Sequence, residues 1–183
     1  MTQTPARTVP MRISLVSCLA LAVGASSLLL ASCSSTSNEQ SPTPPFYERL
    51  DQTQRPVDPA SSVGMINNYR GNNGLAGLTW NPALAQVAKQ VAERMAAADK
   101  VLSTADVHLG DELAKGGYRA KSYVANLSAG YRTFAEAFSG WRELKENNAH
   151  MLDGRAVQVG LATAYAPGSK YRVFWALVLA EPM

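Results

Sequence analysis

Apolar and polar positions divide the chain into three regimes. From Ile13 to Ala31 most positions are apolar, behind a basic stretch that ends at Arg12. From Ser34 to Ser61 Ser, Thr, Pro and Gln dominate and aliphatic residues are scarce. From about Ser62 the apolar positions become periodic. Val63, Ile66 and Tyr69 share one helical face, which ends before Gly71 and Gly74. After a short apolar connection, Gly74 to Trp80, Asn81-Pro82 reads as an N-cap with proline at the first helical position. Leu84, Val87, Ala88, Val91 and Met95 then form an unbroken stripe, predicting an amphipathic helix. Lys100 to Lys121 is weakly patterned, with Gly110, Gly116 and Gly117 as breakers, and Ser122 to Gly130 reads as extended. Thr133 caps a helix whose inner face is Phe134, Ala137, Phe138 and Trp141. Val157, Val159 and Leu161 alternate as on a half-covered strand, whereas Tyr171 to Ala180 is apolar on both faces, as in a central strand. The turn signal Ala166-Pro167-Gly168-Ser169 between them predicts an antiparallel hairpin. Helices first and strands last argue for an α+β layered domain.

The first regime has the form of an export signal, and Met11 before Arg12 offers a second possible start. A run of ~19 residues is near the lower limit for a membrane span. Serines and a glycine interrupt it, however, and it ends in Leu30-Ala31-Ser32-Cys33. That ending resembles the lipobox of bacterial lipoproteins, in which small residues precede a cysteine that receives a diacylglyceryl group. The resemblance implies lipidation at Cys33, acyl chains that anchor the protein to a membrane, and a cell-envelope location facing the periplasm or the surface. Ser34 is not the aspartate that enterobacterial sorting uses for inner-membrane retention, which favours the outer membrane where one exists. The expected organisation is therefore a signal peptide (1–32), a lipidated and disordered tether (33–61) and a folded domain (62–183). The tether is too poor in apolar residues to fold alone.

Composition narrows the functional classes. The formal charge of +3 falls to +1 once Arg7 and Arg12, both in the leader, are set aside. No basic block remains, so the footprint of a nucleic-acid binder is missing. Cys18 and Cys33 are the only cysteines and both precede the domain, so packing alone must hold it.

Several segments together resemble bacterial CAP (SCP) domains, the family of cysteine-rich secretory, antigen five and pathogenesis-related proteins. They are Ile66-Asn67-Asn68-Tyr69-Arg70, Asn73-Gly74-Leu75 with Leu78, the helix after Asn81-Pro82, Asn126-Leu127-Ser128-Ala129-Gly130, Trp141, Met151-Leu152, Val159-Gly160 and Phe174 to Ala180. They cover about residues 62 to 182. The resemblance implies a three-layer α-β-α sandwich with a small antiparallel sheet. It also implies a cleft lined by two histidines and two acidic residues, which in some members binds a divalent metal.

This chain departs from that pattern where the cleft is made. Ala125 stands in place of the motif's glutamate. Six and nine residues after Trp141, where bacterial members place histidine and then asparagine, it has Asn147 and His150. Near the end of the second helix Thr104 meets the expected histidine, and His108 follows four residues on. The cleft candidates are thus Asn126, Glu143, Asn147, His150 and His108. Asn126 is read as a structural residue that bonds backbone at the cleft rim, and Glu143 as a solvated charge paired with Arg142 or Lys145. Metal sites need three or more convergent ligands, so no metal or other cofactor is expected. The domain has no Gly-x-Ser-x-Gly elbow, reactive cysteine or phosphate-binding glycine loop. The favoured expectation is a non-catalytic envelope module that binds peptidoglycan fragments, a lipid or another envelope protein. The alternative is a metal-assisted hydrolase or metal-binding CAP protein with a rearranged cleft built from His108, His150 and Glu143.

Overall fold

The computed structural model describes residues 43–183. Its centre is the run Val173 to Ala180, in which every residue is buried. A strand sends successive side chains to opposite faces, so eight consecutive apolar residues require a cover on each side. Val173, Trp175, Leu177 and Leu179 meet Ile66, Phe134, Trp141 and Met151. Phe174, Ala176, Val178 and Ala180 meet Leu84, Val87, Val91 and Leu113. The result is the expected α-β-α sandwich with a separate apolar core on each face.

The sheet contains β1 (Thr79–Trp80), β2 (Ala120–Ala129), β3 (Gln158–Ala166) and β4 (Arg172–Pro182), in the order β1-β3-β4-β2. The predicted hairpin is present, with β3 and β4 antiparallel, and β4 also pairs antiparallel with β2. Two-residue β1 joins β3 in parallel, which makes the sheet mixed rather than wholly antiparallel. Apolar periodicity gives no sign of so short a strand.

Among the described residues five helices cover the sheet: α1 (Pro59–Asn72), α2 (Pro82–Ala98), α3 (Leu109–Lys115), α4 (Phe134–Glu143) and α5 (Lys145–Met151). α1, α4 and α5 lie on the face of Trp175, and α2 and α3 on the face of Phe174. Asn81 caps α2 as predicted, its Oδ1 accepting from the amides of Ala83 (2.8 Å) and Leu84 (3.2 Å). The Thr133 hydroxyl likewise accepts from the Glu136 amide at the start of α4. α3 escapes the periodicity argument because its seven residues carry only two buried apolar anchors, Leu109 and Leu113. Gly160 lets the first turn of α2 rest directly on β3. A Cβ there would collide with the backbone of Leu84 and Ala85.

The last part of the expected tether, residues 43–61, is folded. Pro45–Tyr47 forms a 3-10 turn, Leu50 and Val57 enter the core, and Asp58 caps α1 by accepting from the Ser61 amide. Two well-spaced apolar residues suffice when a preformed core receives them, which composition averaged over the segment does not reveal. Cys33 and the rest of the expected leader and tether lie outside the described residues.

Candidate functional site

Tertiary packing on the α1/α4/α5 face gathers a polar strip. Asn126 on β2 is fully buried, and its register partner Leu177 belongs to that same core. Its Nδ2 donates to the carbonyl of Asn147 at 3.0 Å. That bond identifies which end of the amide is nitrogen and turns Oδ1 toward Nδ1 of His150, 2.9 Å away. An amide oxygen only accepts, so in this contact Nδ1 carries a proton and donates it. Next to this pair the Tyr69 hydroxyl donates to Asn148 Oδ1 at 2.7 Å. The guanidinium of Arg142 lies over the rings of Tyr69 and Phe138, 5.5 and 5.4 Å from their centroids.

Asn126, Asn147 and His150 are therefore one connected group. Asn126 does bond backbone, as expected, and it also orients the histidine. Chemically the strip presents the half-buried Asn147, Asn148 and His150, while the fully buried Asn126 holds the histidine in place.

The other candidates fall elsewhere. His108 is exposed, adopts a left-handed backbone (φ 47°) and begins α3 on the opposite face of the sheet. Glu143, exposed at the end of α4, lines a shallow groove with Tyr47, Tyr131 and Glu136. Glu143 was expected to pair with Arg142 or Lys145; among the described residues it forms no ion pair with either, and Arg142 lies over Tyr69 and Phe138. Ala125 points into the α2/α3 core, away from Asn126, because neighbours on a strand face opposite ways. Among the described residues, no group of three or more His, Cys, Asp or Glu is placed to hold a metal ion. The divalent metal that the resemblance implies for some members thus finds no fitting donor set among the described residues.

Two contributors are missed by the sequence reading. Tyr69 and Arg142 enter the strip through α1 and α4; periodicity put Tyr69 on the inner face of its helix but gave no sign of its hydroxyl's partner, and nothing local marks Arg142. Arg70 is a structural counterpart, almost fully buried beside the strip. Its guanidinium donates to the carbonyls of Ala76 (2.9 Å), Met151 (2.8 Å), Asp153 (3.0 Å) and Ala156 (3.3 Å). Burial lowers its pKa from the usual arginine value, and the nearby Asp153 partly opposes that. A sequence signal exists here, since Arg70 falls in the same helical stripe as Val63 and Ile66.

The model of the cysteine-rich secretory protein family matches residues 63–179. A comparison with curated protein sequences finds no match. Among solved structures, the chain is similar to an SCP-domain extracellular protein from Bacillus anthracis, at 19% identity and TM-score 0.58, covering 67% of this chain and 39% of that one. It is similar to a cysteine-rich secretory protein from Staphylococcus aureus at 17% identity and TM-score 0.56, covering 67% and 37% respectively. An outer surface protein from Borrelia burgdorferi aligns at 11% identity and TM-score 0.61, covering 70% of this chain and 98% of that one. The chain thus spans about two fifths of the length of the first two. At such identities the likeness concerns the fold.

Proposed function

The chain belongs to the cysteine-rich secretory protein (CAP) family, and we propose that it serves as a lipid-anchored, non-catalytic binding module of the cell envelope. The observation that carries the reading is the state of its polar strip. The family model matches residues 63–179, yet the imidazole of His150 is oriented by a neutral amide and has no carboxylate hydrogen-bond partner among the described residues. A general base or metal ligand is ordinarily supported by a charged or convergent partner set. An amide-lined strip instead suits recognition of a neutral, hydrogen-bonding ligand, and peptidoglycan fragments, a lipid headgroup or another envelope protein supply such groups. Lipid attachment rests on Leu30-Ala31-Ser32-Cys33, and an extracytoplasmic setting fits the extracellular and outer surface proteins that share the fold.

Two measurements test this. Purified full-length protein should turn over no ester, amide or glycoside substrate with or without zinc, and zinc titration calorimetry should show no saturable heat. A hydrolytic activity or tight zinc site that His150→Ala abolishes would overturn the non-catalytic reading. Mass spectrometry of the membrane-extracted protein should find a diacylglyceryl-modified Cys33 as the first residue. An unprocessed terminus at Met1 or Met11 would overturn the anchor.

A further inference from the structure

β3 is flanked by a strand only at its beginning. β1 pairs with Gln158 and Val159 and no further; the Asn81 amide still bonds the Val159 carbonyl at 2.9 Å, and the chain then turns into α2. Beyond Gly160 the outer edge of β3 has no strand neighbour among the described residues.

The direction of the backbone groups on that edge follows from their neighbours. In an antiparallel pair, residues alternate between exchanging both hydrogen bonds with the partner and turning both groups away. Val173 gives its carbonyl to Gly130 on the β2 side, so its β3 partner Tyr165 must face outward. The Tyr165 amide indeed leaves the sheet, donating to Gln54 Oε1 at 3.0 Å. Counting back by two, Leu161 and Thr163 also turn their N–H and C=O groups to the open edge. These residues are only 4% and 6% exposed, and their outward groups have no partner among the described residues. Unpaired backbone groups at such positions are costly unless something meets them.

What they face is a groove of about 760 Å³ whose floor is Leu161 to Thr163. Val57, Pro59, Trp80 and Pro82 line it with apolar surface, and Glu48, Asp58 and Lys89 also line it, two acidic groups and one basic. We propose that this groove is a docking site for an extended peptide segment of a partner protein, which adds a strand to the β3 edge. Two observations select a peptide. The unpaired groups repeat at strand spacing, and the Gln54 side-chain amide already occupies the next position along the edge, standing in for a peptide carbonyl. Charges of both signs complement a polypeptide and offer nothing to an acyl chain. The inference is independent of the polar strip, which involves Asn126 and His150.

The test uses full-length protein in detergent and a fluorescein-labelled Thr-Val-Thr-Val-Thr-Val hexapeptide. Saturable binding should appear by anisotropy, and hydrogen–deuterium exchange of the segment 158–166 should slow on addition of peptide. Two N-methylated versions, blocking the odd or the even amides, should differ, with one binding at least about tenfold more weakly. Thr163→Pro removes an outward N–H at an edge position, where proline is tolerated, and should abolish binding. Gln86→Trp, from an exposed position of α2 on the groove wall, should do the same without touching β3. Absence of binding up to about 1 mM peptide, equal binding by both N-methylated forms, or undiminished binding by Gln86→Trp would each overturn the proposal. A concentration-dependent dimer that Thr163→Pro dissolves would assign the edge to a second copy of the chain and overturn it as well.

Discussion

The guanidinium of Arg70 is enclosed by backbone, with four carbonyls from the connection after α1 and the loop after α5 as its acceptors. Replacing it with methionine keeps the aliphatic stem but strands those carbonyls. Each buried unsatisfied group costs about 1–3 kcal/mol, so Arg70→Met should lower stability by at least about 3 kcal/mol in chemical denaturation, allowing for access of water to some of them. Asn126 acts on a neighbour's protonation geometry instead. Asn126→Ala should remove the constraint on His150, and nitrogen chemical shifts should change from the Nδ1–H tautomer to a mixture. The same substitution should cost about 1–3 kcal/mol, since the Asn147 carbonyl loses its donor. The burial of Arg70 was not anticipated: the sequence reading places Tyr69 on the inner face with Val63 and Ile66, whereas the buried row is Ser62, Ile66 and Arg70. The pairing of Asn126 with His150 was not legible, since 24 positions separate them and β2 and α5 are brought together only by packing.

At the scale of elements, α2 and β3 depend on each other through two residues. Asn81 satisfies the first amides of α2, and its Nδ2 reaches Gln158 Oε1 on β3 at 2.8 Å. Asn81→Ala should therefore cost about 1 kcal/mol from the cap alone, with the lost tie to Gln158 adding to it in a thermal melt. Gly160→Ala should be far more damaging, because its new methyl meets backbone that cannot rotate aside. The expected loss is at or above the upper range for overpacking, about 3 kcal/mol. The α2 stripe, the Thr133 cap, the β3–β4 hairpin and the two-faced β4 were all readable in advance, since each follows from local periodicity or turn chemistry. β1 and α3 were not readable. They are too short for a period to establish itself, and long-range contacts decide them.

For the molecule as a whole, acid should be the condition that loosens the fold. Asp153 is held below the ordinary carboxylate range chiefly by its hydrogen bonds to Arg155. Asp58 is held low by its bonds to Ser61 at the start of α1, and Asp51 by Arg49. A carboxyl group whose folded pKa is depressed favours the folded state above its unfolded value, about 4, and loses that contribution as pH falls through the folded value. The melting temperature should accordingly be flat with respect to these groups near neutrality and decline below about pH 4. Leu50→Ala should cost about 2–5 kcal/mol, as for a buried leucine in any core. A loss that large would mark residues 43–57 as part of the cooperative fold. By itself the sequence determined the α+β class, the central strand and the main helices, because periodicity and capping act over a few residues; the family framework came from the resemblance of its ordered motifs. Only the tertiary structure decided that Asn126 and His150 share one face while His108 and Ala125 turn to the other. It alone also showed that the segment before α1 belongs to the domain and that, among the described residues, β3 has no strand neighbour on its outer side beyond Gly160. The reason is that strand pairing and layer assignment depend on contacts between residues far apart in the chain, where no local pattern reaches.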